Sequence, residues 1–452
     1  MTASKAKTKP VVIVGAGVTG LSLAAMLAQQ GVHCIVVEKE ETVGGLARSF
    51  RIDDYTFDIG PHRFHTERQD VDSFVRDTLG PKSVDIPRNS QVHFMGHYYP
   101  WPFRPKELLL HFPPRIAIQV LWDLVTLYRK PDPRSFRDQI ENMYGHTLYK
   151  HFFEGYTSKF LGITPELTDS DWASTGVDRA IIDKRLKMNS LWQLVWNTML
   201  PGNIPDVKFV YPQGGCGVFT DMLADHLTSM GGEIVTGAEV DDITRTDGTI
   251  TALTVGERRI EPSLLVWTGT IHSMTRLLEL PVPHLRYLAL VCYNLSLTEG
   301  EKFEFQWCYH GDPDIFFSRV SIPENFHSGN TPGDKRALCV EVPCAEGDDI
   351  YREPEKHLDR VLIDLKRVGL LKTDREISAL NTACLPWAYP IYKLGYRRDL
   401  EKLEASLAPF SNLIMAGRLG RFWYNNMDHC IEASLKLADD IVQRLHGARE
   451  EH

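Results

Sequence analysis

The sequence predicts an α/β fold in which a parallel-stranded nucleotide-binding domain is interrupted by an α+β domain with an antiparallel sheet and a helical part. Three observations predict it. The first is an N-terminal stretch: Val11 to Val14 are apolar, Gly15, Gly17 and Gly20 follow in the spacing G-x-G-x-x-G, residues 21–30 have helical apolar spacing, and Cys34 to Val37 form a second apolar run ending on Glu38. Two short buried strands around a helix, joined by that glycine turn, make a dinucleotide-binding βαβ unit. The second is a pair of later apolar runs, 264–270 and 413–418, at which the chain returns to the nucleotide domain. The third is a set of strand-like segments, 284–298, 304–309 and 336–342, that suit an antiparallel sheet of another domain. The 452 residues divide accordingly. Residues 1–75, 205–275 and 385–452 are assigned to the nucleotide domain, and 76–204 and 276–384 to a substrate-binding domain.

The elements follow in order. Gly15 allows the tight turn, Gly17 lets the backbone approach a pyrophosphate, and Gly20 lets the helix pack on the strand. The helix start then offers free N–H groups and a positive dipole end to phosphates, and Glu38 is placed to accept from a ribose. A strand at 55–59 runs into the loop Gly60-Pro61-His62-Arg63-Phe64-His65, where Pro61 stops the strand pattern. Residues 70–79 read as a helix. The alternating, aromatic-rich stretch 88–103 reads as a hairpin. Residues 105–143 read as mainly helical, broken at Pro113-Pro114 and at Pro131-Asp132-Pro133. The aromatic residues of 144–162 have helical spacing, which more often marks a core face than a site. Residues 168–185 continue as helix and 203–212 as loop or strand. An amphipathic helix at 218–230 follows Gly214-Gly215, then come strands at 233–235, 239–244, 248–255 and 258–260. Helices are expected at 354–368 and, closing the chain, at 430–445.

Composition excludes several classes. With a net charge of −9 and no basic tract, nucleic acid is not an expected partner. No run of about 18 uncharged apolar residues is present, so no membrane span is expected. The eight cysteines are scattered without a C-x-x-C pair, which suits reduced thiols in a cytoplasmic protein and no zinc site. No metal-ligand cluster, catalytic triad or carboxylate pair stands out.

Gly44-Gly45-Leu46-Ala47-Arg48-Ser49 resembles the G-G-x-x-R-S segment that follows the βαβ unit in FAD proteins of the amine-oxidase and glutathione-reductase type. The resemblance makes the nucleotide domain a Rossmann-like FAD-binding one, with Gly45 and Arg48 at the cofactor diphosphate. Read with later motifs, nearly the whole chain resembles the UDP-galactopyranose mutase family, flavoenzymes that share the fold of amine oxidases and protoporphyrinogen oxidases. The loop from Gly60 looks like the family's G-[GA]-H-x-[FI]-x loop, which implies that Pro61 and His62 sit beside the flavin ring. Trp307-Cys308-Tyr309 with Phe317-Ser318-Arg319 is similar to its W-x-Y…F-x-R segment, and Tyr389-Pro390 to a tyrosine-proline step. Gly417-Arg418-Leu419-Gly420 through Tyr424, Asn426, Met427, Asp428 and His429 is similar to its C-terminal signature. The resemblance implies that Trp307 stacks a base, that Tyr309, Arg319, Tyr389, Tyr424, Arg418 and Asn426 meet a nucleotide sugar, and that Gly417, Arg418, Asn426, Met427 and Asp428 meet the flavin. His62, Arg319, Arg418 and Tyr389 are the candidate catalytic residues.

What the resemblance implies for function is a ring-contraction isomerase working through reduced flavin N5, with NAD(P)H as reductant. One departure bears on the substrate. The family carries an Arg shortly after a Trp, whereas here Trp172 is followed by Ala173-Ser174-Thr175-Gly176 and the next Arg is Arg179. The alternative is an FAD-dependent oxidoreductase of the amine oxidase type, taking hydride from an amine, an amino sugar or a natural-product intermediate. One fold serves both chemistries.

Overall fold

The computed structural model describes residues 9–101, 113–126, 129–174 and 207–450. Its first sheet has five parallel strands in the order Leu413–Met415, Leu264–Trp267, Val11–Val14, Cys34–Val37, Glu233–Val235. A parallel sheet is covered on both faces, so its strands read as unbroken apolar runs. Period-two alternation divides Val11–Val14 between two cores. Val11 and Ile13 pack with Leu21, Leu223 and Ile431 from the helices Val18–Gln29, Gly217–Ser229 and Met427–Glu450. Val12 packs with Ile35, Leu265 and Leu253, the last from a three-stranded antiparallel layer over residues 240–260. The first strand is central: the chain builds outward from it on one side through Cys34–Val37 and returns much later to its other side with Leu264–Trp267. A crevice at its carboxyl end is where open α/β sheets bind ligands.

The second sheet has seven strands, in the order Ile377–Ile391, Arg286–Leu297, Arg336–Cys344, Arg319–Ser321, Trp307–His310, Ser90–Phe94, His97–Trp101. All its pairings are antiparallel except Trp307–His310 on Ser90–Phe94. The hairpin expected at 88–103 is the last two of these strands. The helix Leu358–Arg367 covers one face through Val361 and Leu365, and the opposite face looks toward the nucleotide domain.

Several expectations are corrected. The strand Ile377–Ile391 runs through residue 385, where the sequence reading divided the domains. Its two prolines hid it. They are tolerated because this is an edge strand, and Pro386 falls where the pairing slips from Leu288↔Tyr389 to Leu290↔Leu385. Short helices at Ile271–Leu277 and Tyr396–Leu407, and a strand at Ser83–Pro87, were not read from the sequence. Among the described residues, the helical region around 105–143 contains Pro114–Thr126 and the start of Phe136–Leu148, on either side of Pro131–Pro133. The aromatic stretch after it is a π-helical turn, Tyr149–Glu154, followed by Gly155–Leu161. Most of the helix read at 168–185, including Arg179, and most of the loop before Lys208–Pro212 lie outside the described residues. No helix among the described residues is long and apolar enough to cross a membrane.

Candidate active site: a nucleotide crevice joined to an aromatic pocket

A cavity of about 490 Å³ opens at the carboxyl ends of Val11–Val14 and Cys34–Val37. Gly15 turns the chain at φ +103°, where a Cβ would stand 2.2 Å from Thr268 Oγ1. A Cβ on Gly20 would stand 1.9 Å from the Gly15 carbonyl oxygen, so helix and strand touch through bare backbone. Gly17, by contrast, has nothing within 4 Å of its Cβ position. It caps the helix Val18–Gln29 and leaves open space in front of that helix's unpaired N–H groups. At the same end of the neighbouring strand, Glu38 is buried. Its Oε2 accepts from Ala16 N–H at 2.7 Å and its Oε1 from Glu40 N–H at 3.0 Å. Both bonds fix the carboxylate, and its remaining lone pairs can meet a ribose.

Of the residues expected at a cofactor, Gly15, Gly17, Glu38, Gly45, Arg48, His62, Gly417, Arg418, Asn426 and Met427 line this cavity. The open backbone at Gly17, the anchored carboxylate and Arg48 together fit the diphosphate and ribose of a dinucleotide such as FAD. Four residues stand behind the lining. Gly20 serves the packing just described. Gly60, at φ +70°, passes so close to Glu341 that a Cβ would lie 2.9 Å from its Oε1. Pro61 is buried. Asp428, in the first turn of Met427–Glu450, faces His429 at 3.3 Å, and burial raises its carboxyl pKa.

A second, smaller cavity adjoins, walled by aromatic rings. Tyr309, Arg319, Tyr389 and Tyr424 all line it. The sheet places two of these side chains. Tyr309 pairs with Arg319, and Arg319 with Glu341, in one row across three strands. Cross-strand partners on one face are in contact distance, and Arg319 is held bidentately by Glu341, Nε to Oε1 and Nη2 to Oε2, both at 2.6 Å. Its Nη2 also reaches the Tyr389 hydroxyl at 3.3 Å. Arg418 joins the two cavities. It lines the larger one, donates to the backbone carbonyls of Ala388 and Asn425, and lies over the rings of Tyr389 and Tyr424 at 5.2 and 5.8 Å.

The electrostatics set protonation states. Burial, then Arg418 and Arg319, push the His62 imidazole down to about 3, so the ring is neutral at physiological pH. Its Nδ1 has no partner among the described residues. Burial and neighbouring phenols raise the Tyr424 hydroxyl, and burial raises Tyr156, so both remain hydrogen-bond donors.

Trp307 is corrected. It lines neither cavity. It is fully buried against Phe209, Tyr211 and Phe326, and the Arg63 guanidinium lies 4.3 Å from its ring centre. No face is open to a base. The sequence reading also missed residues that the structure brings to the site. Phe152, Phe153, Tyr156 and Phe160, read as core, line the aromatic pocket together with Trp172. A π-helical turn re-aims them, and such turns recur at functional sites. Lys159 is half-buried behind the pocket, and its Nζ shares three N–H groups among the carbonyls of His310, Asp312, Ile315 and Phe317 at 2.7–3.2 Å. It thereby holds the loop between the strands that carry Tyr309 and Arg319.

The model of the family described as flavin containing amine oxidoreductase matches residues 18–442. The chain belongs to that family. It is an FAD-dependent enzyme, a mutase or an oxidoreductase. Among curated proteins it is 23% identical to a probable UDP-galactopyranose mutase of Klebsiella pneumoniae, over 98% of this chain and 97% of that one. It is 28% identical to the dTDP-fucopyranose mutase of Escherichia coli, over 34% of this chain and 42% of that protein. Among solved structures, a reduced UDP-galactopyranose mutase superposes with a TM-score of 0.83 at 21% identity, covering 96% of each chain.

Proposed function

We propose that the protein isomerises a nucleoside-diphosphate sugar between ring forms without net redox. The observation that carries this reading is the convergence of one guanidinium, Arg319, and three phenols, Tyr309, Tyr389 and Tyr424, on a pocket that shares a wall with the nucleotide crevice. A diphosphate needs cationic and hydroxyl donors, and this set supplies both. The names of the two mutase relatives support the same reading.

The reduced flavin, when bound, supplies the nucleophile for sugar transfer, and NAD(P)H is its proposed reductant. The chain's residues do the rest. Arg319, locked by Glu341, and the Tyr389 hydroxyl orient the phosphates. Arg418, stacked on two of the phenols, places positive charge between diphosphate and flavin crevice. The neutral His62 offers a ring nitrogen at the flavin edge rather than a second cation. The aromatic walls exclude water and can stack a base. All eight cysteines are free, which suits the reducing cytoplasm.

A second reading draws on the apolar character of the far pocket wall, where Val92, Phe94, Phe152 and Phe153 cluster. Such a wall also suits an apolar amine, oxidised by hydride transfer to flavin. One experiment separates the two. UDP- and TDP-sugars are added to the photoreduced holoenzyme, flavin absorbance is followed, and the sugar is analysed for its ring isomer. The mutase reading expects a spectral change that Arg319→Ala abolishes. Absence of any response to sugar nucleotides, with anaerobic bleaching of oxidised flavin by amines, would overturn it.

A further inference from the structure

The charge balance of the pocket leaves one arginine unexplained. Arg319 spends two of its donor positions on Glu341, and the pair is neutral as a unit. Arg63 has no such partner. No carboxylate lies within ion-pair distance of it among the described residues, and its Nε is buried without a hydrogen bond. Its guanidinium rests instead on the indole of Trp307, 4.3 Å from the ring centre, with the Arg88 guanidinium 5.4 Å from the same ring. Two cations share one aromatic ring. Trp307 stands two residues before Tyr309 on the same strand, so the two side chains share a face, about 7 Å apart along it. Arg63 also follows His62, which lines the crevice, although Arg63 itself lines neither of the two cavities.

A cation removed from water is costly unless an anion answers it. Burial lowers the Arg63 pKa, and burial followed by the Arg63 charge brings Arg88 down to about 9. Of the charged groups around it, Asp428 acts favourably on Arg63 at longer range and Arg319 unfavourably. The protein has therefore placed surplus positive charge beside the pocket, on a rigid aromatic support.

We propose that Arg63, seated on Trp307, is an additional oxyanion-binding residue that the negative charge of the substrate completes. This rests on the nucleotide-sugar reading and adds a specificity determinant to it. The recognised chemistry is a phosphate or carboxylate oxygen, which bonds a guanidinium in a planar, bidentate way. It comes either from the diphosphate or from an acidic group on the sugar.

The test compares wild-type holoenzyme with Arg63→Met, which keeps the stem over Trp307, and with Arg63→Lys, which keeps the charge. The probes are UDP, UDP-galactose and UDP-galacturonate, with uridine as the uncharged control, and binding is read by flavin fluorescence or calorimetry. Unchanged FAD content and melting temperature establish that a variant is folded. Arg63→Met is expected to weaken charged probes by about tenfold or more, with uridine unaffected and Arg63→Lys intermediate. Equal loss across the three charged probes assigns the diphosphate. Loss confined to UDP-galacturonate assigns an acidic sugar. If wild type binds UDP in an Arg319-dependent way and Arg63→Met binds every probe equally well, this inference fails alone. If wild type binds none of them, the nucleotide-sugar reading itself fails.

Discussion

His62 illustrates how position sets chemistry at the scale of one residue. Its pKa in the folded protein, about 3, lies below the ordinary 6.5. The unfolded chain therefore binds a proton that the native state refuses, and stability falls as pH drops from about 6.5 toward 3. Acid titration of the melting temperature should show a shallower decline in His62→Gln than in wild type over that window. Activity should show no ionisation assignable to His62 between pH 5 and 8. Glu341 makes the complementary case. Its carboxylate is almost wholly buried and clamps Arg319. Glu341→Gln leaves a guanidinium without its counter-charge and should cost about 3 kcal/mol or more in denaturant unfolding. It should also disturb nucleotide binding, because Arg319 is then free to turn.

Among the elements, the glycine turn separates two roles within six residues. Gly20→Ala inserts a methyl into the Gly15 carbonyl and should destabilise apoprotein and holoprotein alike. Gly17→Ala enters open space at an ordinary φ of −80°, so the apoprotein should melt unchanged while FAD dissociates more readily. Thermal melts with and without FAD, beside a flavin-release assay, distinguish the pair. The loop tied by Lys159 offers a third case. Lys159→Met orphans four carbonyls and should raise KM through Tyr309 and Arg319 more than it lowers kcat. The sequence was legible here wherever local rules decide the outcome. The βαβ unit and the hairpin at 88–103 each depend on spacing, whereas the tyrosine–arginine set rested on the family resemblance. Trp307 was misread because nothing local to it says that Arg63, distant in sequence, covers its face. The Phe152–Phe160 stripe was misread because helical spacing says which residues share a side, but not whether that side meets a core or a cavity. Ile377–Ile391 escaped because its prolines argue against a strand unless the edge position and the slipped register are known.

At the scale of the molecule, the cofactor crevice draws on the whole chain: Gly15 and Glu38, then Thr268, then Leu385, then Met427 all line it. FAD should therefore stabilise the protein globally. Saturation at a hundredfold over Kd adds about 2.7 kcal/mol by mass action, seen as a single melting transition that moves upward with FAD concentration. The fold class was legible because the apolar runs that build a doubly covered sheet need no tertiary information to be seen. The partition of the chain was less so, because Ile377–Ile391 continues past the division at 385.

The strand order of that sheet has a consequence in time. Leu264–Trp267 is flanked on one side by Val11–Val14 and on the other by Leu413–Met415, the last strand among the described residues. Met427–Glu450, which packs against the first helix, emerges later still. During synthesis the edges of the N-terminal βαβ unit are covered once residues 233–267 are made, but the outer edge of Leu264–Trp267 and one apolar face of the first helix stay uncovered until residues 413–450 emerge. Pairings this distant in sequence form slowly, and exposed edges invite aggregation meanwhile. Maturation of the flavin site thus waits for Leu413–Met415 and Met427–Glu450 to emerge. Nascent chains stalled before residue 413 should hold no flavin, and the yield of active protein should depend on chaperone supply more than on FAD supply.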